Sequence, residues 1–93
     1  MNDRREWLLV RADGVGEARI AIGSQPVRIG RGPENQIVLP DTYASARHAE
    51  VVEHEGQRWL RDLGSTNGTR LNGRVLAPGT LHALGDGDLI QIG

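Results

Sequence analysis

The feature that most constrains the fold of this chain is how often glycine and proline interrupt it, with 13 glycines and four prolines among 93 residues. Both residues break regular structure, so the segments between them are short. The apolar runs in these segments mostly alternate with polar residues or contain β-branched side chains, which is typical of half-buried strands. We therefore expect an all-β fold.

The same pattern predicts the individual strands, whose spacing of roughly 8–12 residues favours a two-sheet sandwich or a barrel. Dipeptides that tolerate a positive φ separate them and indicate tight turns. These turns are Asp13-Gly14, Asn67-Gly68, Asn72-Gly73, Pro78-Gly79 and Asp86-Gly87. The predicted strands are Trp7–Arg11, Ala18–Ile22, Pro26–Ile29, Gln36–Leu39, His48–Glu53, Arg58–Arg61, Arg70–Leu71, Thr80–Ala83 and Asp88–Ile92.

The segment from Asp41 to Glu55 is the one place where a helix is an alternative, because fifteen residues pass there without glycine or proline. Asp41 could serve as the N-cap of such a helix. Against a helix, Val51 and Val52 favour a strand, and the apolar positions form no continuous helical stripe. We interpret the segment as a loop that runs into a strand.

Size and composition exclude several classes of protein. The chain, 38% hydrophobic, has enough apolar side chain for one core, so we expect a flexible N-terminus at residues 1–6 and one domain at residues 7–93. A net charge of −1 argues against nucleic-acid binding, which needs a basic face. No apolar stretch is long enough to span a membrane, and we expect no signal peptide, because no apolar region follows the charged start. The absence of cysteine excludes disulfides and favours a reducing, cytoplasmic compartment.

The sequence contains little that could support catalysis. It lacks a cysteine nucleophile and the motifs of serine hydrolases, zinc proteases and P-loop enzymes. A hydrolase that uses Ser45 or Ser65 with His48 and Asp62 is the remaining alternative, but no oxyanion-stabilising motif accompanies these residues. We expect a protein that is not an enzyme and that holds no cofactor or metal. The histidines, which lack the spacing of metal ligands, are His48, His54 and His82.

Polar, hydroxyl-bearing and cationic residues concentrate in three loops between predicted strands. Glycine lets the first loop turn sharply, and an arginine leaves the strand end there with its guanidinium free. Taken singly, each loop has an ordinary structural explanation, as a strand end, a local cap or a hairpin turn. The loops are Gly30-Arg31-Gly32, Ser45-Ala46-Arg47-His48 and Gly64-Ser65-Thr66-Asn67-Gly68-Thr69.

In this order and spacing, the three loops resemble the signature of the forkhead-associated domain family in its bacterial form. That signature runs Gly-Arg, Ser-x-x-His, Ser-x-Asn-Gly-Thr and Asn-Gly, and its last part is Leu71-Asn72-Gly73 here. The segment from Asn35 to Leu39 also resembles the corresponding segment of the family, and the resemblance covers Val27 to Ile92. It implies a two-sheet β-sandwich of short, mostly antiparallel strands, whose loops at one end bind phosphothreonine and discriminate against phosphoserine.

The resemblance also implies a role for each loop residue. Arg31 would pair with the phosphate, Ser45 would donate its hydroxyl, and Thr66 would help to close the phosphate pocket. Asn67 would hold the backbone of the ligand, and Arg47 would add positive charge. The residues that look like the family's loop scaffold are Gly30, His48, Gly68 and Asn72.

The chain departs from the family pattern in two places. Ala46 occupies a position that often carries a polar or basic residue, so one phosphate contact is missing. The chain also stops at Ile92-Gly93, where the family usually adds a closing strand. This indicates a cut through a longer polypeptide that lacks the last strand, and it would leave an uncovered edge.

The resemblance thus implies a monomeric domain of a larger signalling protein. Such a domain would bind a threonine-phosphorylated segment of a partner, downstream of a Ser/Thr protein kinase. A scaffold of the same fold that binds proteins through a sheet face or edge, without phosphate, is the alternative. Retention of the four phosphothreonine-site residues favours the first hypothesis, and they are Arg31, Ser45, Thr66 and Asn67.

Overall fold

Short strands make up the regular structure of the chain. The computed structural model describes residues 6–12, 16–22, 25–40, 42–85 and 87–92, with side chains from residue 25 onwards. Within these ranges there is no helix. The ten strands are β1 (Glu6–Ala12), β2 (Gly16–Ile22), β3 (Val27–Gly30), β4 (Ile37–Val38), β5 (Ala49–His54), β6 (Gln57–Asp62), β7 (Thr69–Leu71), β8 (Arg74–Val75), β9 (His82–Leu84) and β10 (Leu89–Ile92).

The strands form two five-stranded sheets. The first has the order β2-β1-β10-β7-β8, and the second has the order β4-β3-β5-β6-β9. Pairing is antiparallel except between β1 and β10 and between β3 and β4. The prediction of an all-β, two-sheet sandwich of mostly antiparallel strands is confirmed.

Strand register decides which side chains fill the space between the sheets. Val27 and Ile29 of β3 lie opposite Val51 and Ala49 of β5, and Val51 lies opposite Leu60 of β6. Directly opposed residues share a face of the sheet, so these side chains point into the sandwich. The buried hydrophobic residues are Ile29, Leu39, Ala44, Ala49, Val51, Leu60, Leu76, Leu84, Ile90 and Ile92.

Each of the nine predicted strands coincides with an observed one, with ends displaced by at most two residues. The segment after Asp41 is a loop that leads into β5, as interpreted, and contains no helix in its described part. β8 was not predicted, since a strand of two exposed residues has no hydrophobic pattern. Residues 1–5, the turn at Asp13-Gly14 and Asp86 lie outside the described residues.

The predicted tight turns that the structure describes use positive φ as expected. Asn72 and Gly73, between β7 and β8, have φ values of 51° and 86°. Two successive residues with positive φ form the turn that best matches the twist of a two-residue hairpin. A second pair of this kind, Glu55 and Gly56 with φ values of 52° and 76°, joins β5 to β6.

The expectation of an uncovered edge at the C-terminal strand is wrong. β10 lies inside the first sheet, where it pairs with β7 on one side and with β1 on the other. The parallel register places Leu9 opposite Leu89, and the antiparallel register places Ile90 opposite Leu71. Because β1 supplies the second partner, both sides of β10 are hydrogen-bonded.

Within the described residues, no helix could span a membrane.

Candidate functional site

Strand pairing brings the three loops singled out in the sequence to one end of the second sheet. Ala49, at the start of β5, lies opposite Ile29 near the end of β3 and opposite Asp62 at the end of β6. The loops that follow β3, precede β5 and follow β6 therefore emerge side by side. The first two are joined through their backbones, because Arg31 N–H donates to the Ser45 carbonyl at 2.9 Å.

Gly30 permits this close approach of two loops. A Cβ atom at position 30 would overlap the Ala46 carbonyl oxygen and would lie 2.9 Å from Asn35 Nδ2. The Asn35 side chain fills the space, since its amide donates to the carbonyls of Gly32 at 2.7 Å and Ala46 at 2.8 Å. Any larger residue at position 30 would separate the loops.

His48 links the second loop to the third from a fully buried position. Its Nδ1 accepts the backbone N–H of Ser45 at 3.0 Å, and its Nε2 lies 2.8 Å from the Gly68 carbonyl oxygen. A backbone N–H can only donate, so Nδ1 carries no proton and Nε2–H is the donor to Gly68. The neutral ring therefore fixes the distance between the two loops.

Asp62 holds the third loop in shape. Its Oδ2 accepts the N–H groups of Gly64 and Ser65 at 3.0 and 3.1 Å, and its Oδ1 accepts the hydroxyls of Ser65 and Thr69 at 2.5 and 2.7 Å. Burial by itself raises the pKa of this carboxyl, but the hydrogen bonds from Ser65, Thr69 and Gly64 outweigh burial and lower the pKa below its ordinary value of 3.8. Asp62 is therefore a charged structural anchor.

The scaffold leaves the side chains at its outer surface free to meet a ligand. Thr66 N–H donates to Ser45 Oγ at 3.0 Å, so the Ser45 hydroxyl keeps its own hydrogen for another acceptor. Asn67 Nδ2 donates to the Tyr43 carbonyl at 2.9 Å, which fixes the plane of the Asn67 amide across the two loops.

These side chains border one pocket, which we call the three-loop pocket, of about 300 Å³. Arg31 lines it from an exposed position. Within the described part of the chain, its guanidinium makes no hydrogen bond or ion pair, so its charge is available. The residues that line the pocket are Arg31, Thr42, Tyr43, Ala44, Ser45, Ala46, Thr66 and Asn67.

Comparison with known proteins decides the family. The FHA domain model matches residues 27–93, which include all three loops. The chain belongs to the forkhead-associated (FHA) domain family. FhaB, an FHA domain-containing protein of Mycolicibacterium smegmatis, is 45% identical over 65 residues, which are 70% of this chain and 42% of FhaB. The chain thus spans less than half the length of the FhaB proteins that it matches.

Solved FHA domains share the architecture as well. The FhaA FHA domain, in complex with the intracellular domain of Rv3910, superposes with a TM-score of 0.71 at 38% identity, covering 87% of this chain and 85% of that one. The MEK1 FHA domain, in complex with a phosphothreonine peptide of HOP1, superposes with a TM-score of 0.71 at 29% identity, covering 81% and 80% of the two chains. The three-loop pocket therefore lies on a framework that binds a partner domain in one of these proteins and a phosphothreonine peptide in the other.

The structure separates two of the predicted site residues of this FHA domain from the others. Arg47 is exposed beside the pocket but does not line it. Asn72 lies in the turn between β7 and β8, and its side-chain hydrogen bonds to described residues go to the segment around Leu89. Its Oδ1 accepts Leu89 N–H at 2.9 Å and its Nδ2 donates to Asp88 at 3.0 Å, so it secures β10 instead.

Several residues at or below the pocket were not predicted as site residues. Thr42 and Tyr43 line it, and no pattern marked them. Asn35 was noted only as part of the resemblance, and Asp62 only as a member of a hydrolase triad. An Asp followed two residues later by Gly-Ser is a signal for a turn closed by side-chain oxygen, and it could have identified Asp62 as the loop anchor.

Proposed function

We propose that this FHA domain binds a threonine-phosphorylated segment of a partner protein in the three-loop pocket. The observation that carries the proposal is the free guanidinium of Arg31 beside the Ser45 hydroxyl, whose hydrogen is also available. A phosphate carries about −1.5 to −2 charges and three strong acceptor oxygens at neutral pH. A cation and a neutral hydroxyl donor, both held on hydrogen-bonded loops, match that chemistry.

Each residue of the pocket has a distinct task in this proposal. Arg31 forms charge-assisted hydrogen bonds with the phosphate, and Ser45 donates its hydroxyl to the same group. Thr66 closes the pocket around the phosphate and the γ-methyl group of the ligand's threonine, which discriminates against phosphoserine. Asn67 binds the backbone of the ligand and fixes its direction, and Arg47 adds long-range attraction from outside the pocket.

The scaffold residues contribute by holding these groups in place before the ligand arrives. Gly30 and Asn35 fix the first loop against the second, His48 fixes the second against the third, and Asp62 shapes the third. Pre-organised donors do not have to be ordered on binding, which saves conformational entropy. We expect affinity to depend on these buried contacts as well as on the residues that touch phosphate.

The hydrogen bonds of the site favour a binding module over an enzyme. A hydrolase would need a histidine nitrogen directed at a serine hydroxyl. His48 instead uses Nδ1 for the Ser45 N–H and Nε2 for the Gly68 carbonyl, and the Asp62 carboxylate binds Ser65 and Thr69. We infer that the domain is not an enzyme and that it requires no cofactor.

We further propose a place for the domain in the cell. Its partner is the substrate of an upstream Ser/Thr protein kinase, and the domain acts as a monomeric unit of a larger bacterial signalling protein in the cytoplasm. The net charge of −1 supports recognition of a protein segment over nucleic acid. No membrane contact is part of the proposal.

Titration of a degenerate phosphothreonine peptide library, with phosphoserine and unphosphorylated pools as controls, tests the proposal at fixed moderate salt. We expect saturable binding of the phosphothreonine pool alone. Arg31→Ala should weaken it about 100-fold, equivalent to about 2.7 kcal/mol, while Arg47→Ala should weaken it only about two- to threefold.

Arg70→Ala is the matched control, because Arg70 is exposed on β7 outside the three loops. Equal binding of phosphorylated and unphosphorylated pools, or full affinity in Arg31→Ala, would reject the phosphothreonine reader. Binding without phosphate would support the phosphate-independent scaffold of the same fold.

A further inference from the structure

A second concave surface lies on the flank of the sandwich where each sheet ends. β8 is the last strand of the first sheet and β9 is the last strand of the second, and residues 76–81 connect them. The surface between them, which we call the β8–β9 groove, has a volume of about 600 Å³. This is about twice the volume of the three-loop pocket, and the two share no lining residue.

The register of β8 places a free cation in this groove. Arg74 pairs with Leu71 of β7, and Leu71 pairs with the buried Ile90, so Arg74 lies on the inner face of its sheet. Both Arg74 and Leu71 line the groove. The Arg74 guanidinium has no hydrogen-bond or ion-pair partner in the part of the chain that the structure describes.

The facing strand contributes an unpaired imidazole nitrogen. His82 lies opposite the buried Leu60, so it also faces inwards, and it lines the groove. Its Nε2 is buried and has no hydrogen-bond partner among the described residues. Buried polar atoms are rarely left in this state, so the imidazole adds a polar group to the wall below the Arg74 cation.

The remaining surface is apolar and exposed where the groove opens. Leu76 forms part of its wall and is buried, while Val75 is 67% exposed and Leu81, next to His82, is 45% exposed. None of the described residues that line the groove is acidic. Asp88 contacts the groove residue Asn72, but its two oxygens already accept from Asn72 and from Gly85 N–H.

We propose that the β8–β9 groove binds an extended, unphosphorylated segment of a partner protein that carries an acidic residue between aliphatic ones. The carboxylate pairs with Arg74, and aliphatic side chains two residues away, on the same face of the segment, pack on Leu71 and Leu76. An acidic side chain matches a groove that has a cation and no described carboxylate. An extended segment matches edge strands, whose outer backbone groups can pair with an added strand.

NMR titration of the isotope-labelled domain tests this proposal directly. The probe is a pool of blocked seven-residue peptides with a central Glu flanked by Val, Ile or Leu, and a second pool carries Gln in its place. We expect amide shifts at residues 71–76 and 82–83 with the Glu pool, and binding at least tenfold weaker with the Gln pool.

Charge variants on one hairpin make the test specific. Arg74→Glu should weaken binding of the Glu pool at least tenfold, and Arg74→Gln should also weaken it without reversing the charge. Arg70→Glu is the matched control, because Arg70 pairs with Val75 on the outer face of the same hairpin and does not line the groove. It should bind the Glu pool like the parent domain.

The outcomes separate this proposal from the phosphothreonine function. Phosphothreonine affinity should be unchanged in Arg74→Glu, and Glu-pool affinity should be unchanged in Arg31→Ala. No binding of either pool, equal binding of the Glu and Gln pools, full affinity in Arg74→Glu, or shifts confined to the three loops would each overturn the groove as an acidic-segment site. None of these results would affect the phosphothreonine proposal.

Discussion

The three-loop pocket and the β8–β9 groove both present an unpaired arginine, but the protein supports them in different ways. Arg31 emerges from a loop whose backbone is fixed by Ser45 and whose neighbour is fixed by Asn35. Arg74 emerges from a two-residue edge strand, and the groove's second polar group, His82 Nε2, forms no hydrogen bond with the residues that the structure describes.

The difference shows that, in the three-loop pocket, the residues that make the site rigid are not the residues that would contact a ligand. Under the three-loop pocket, Asn35, His48 and Asp62 each hydrogen-bond to the backbone of the loops and leave the outermost donors for a ligand. In the groove, the cation that a ligand would meet, Arg74, is exposed on a two-residue edge strand, and no described side chain holds it in place. Pre-organised sites discriminate between ligands by geometry. A groove whose polar groups are not held by hydrogen bonds adapts to several related segments at lower affinity. Substitutions of the same type in the two regions should therefore have unequal effects.

The largest difference is expected for aspartate. Asp62→Asn places an amide where a carboxylate accepts four hydrogen bonds, and it should lower the free energy of unfolding by about 2–4 kcal/mol at pH 7. Asp88→Asn is the matched change in the turn before β10, where the carboxylate is half-buried and accepts two bonds. It should cost less than about 1 kcal/mol. Urea unfolding measures both, and equal losses would contradict the anchor role of Asp62.

The Asp62 effect also has a defined pH dependence. The folded pKa lies below the ordinary value of 3.8, so the folded state favours the charged form. This stabilisation is complete above about pH 5 and is lost as the pH falls through 3.8 towards the folded pKa. The difference in the free energy of unfolding between the parent domain and Asp62→Asn should therefore become smaller below about pH 4. A difference that stays constant down to pH 2.5 would argue against a charged Asp62.

A smaller difference is expected for histidine. His48→Asn retains an acceptor for the Ser45 N–H but cannot reach the Gly68 carbonyl, which releases the third loop from the second. Phosphothreonine affinity should fall about tenfold, or about 1.4 kcal/mol. His82→Asn, the same change in the groove, should leave that affinity unchanged. Isothermal titration at a temperature where both variants are folded measures the two affinities. A loss of similar size in His82→Asn would contradict a specific role of His48 in joining the second and third loops.

The smallest effect is a gain at the three-loop pocket. Ala46 lines the pocket and is exposed, so Ala46→Arg can add a guanidinium that reaches the phosphate without disturbing the core. We expect affinity to rise about fivefold, or about 1 kcal/mol. Ala77→Arg adds the same charge at an exposed position between β8 and β9, and should raise affinity less than twofold. Similar gains from both would point to net charge alone.

The sequence predicted those parts of the fold that depend on local patterns. Turn dipeptides such as Asn72-Gly73 specify their own backbone geometry. The β-branched residues Val51 and Val52 likewise predict β5. β8 could not be found in this way, because Arg74 and Val75 form a strand only through pairing with Leu71 and Arg70. The pairing of β1 with β10 was equally invisible, since nothing in either segment specifies a distant partner.

In the candidate site, too, the residues that belong to local motifs could be predicted, and those that depend on distant contacts could not. The loop motifs identified Arg31, Ser45 and Thr66 by their order, and the structure brings them together. The buried supports were harder to assign. Whether Asp62 anchors a loop or serves a catalytic histidine depends on which side chains surround it, and only the three-dimensional arrangement decides this. The inward direction of Arg74 is set by strand register, which a two-residue segment does not encode.

The position of β10 between β1 and β7 has a consequence for how the domain is made. All strands of the second sheet precede Gly85 in the chain, so the pairing of this sheet does not require β10. The first sheet must wait for β10, which joins the earliest strand to the loop-bearing half. Such distant pairings form slowly because the intervening chain loses entropy. The strand that carries the third loop into the sandwich therefore gains its central neighbour last, and this loop reaches its final position only once β10 has paired.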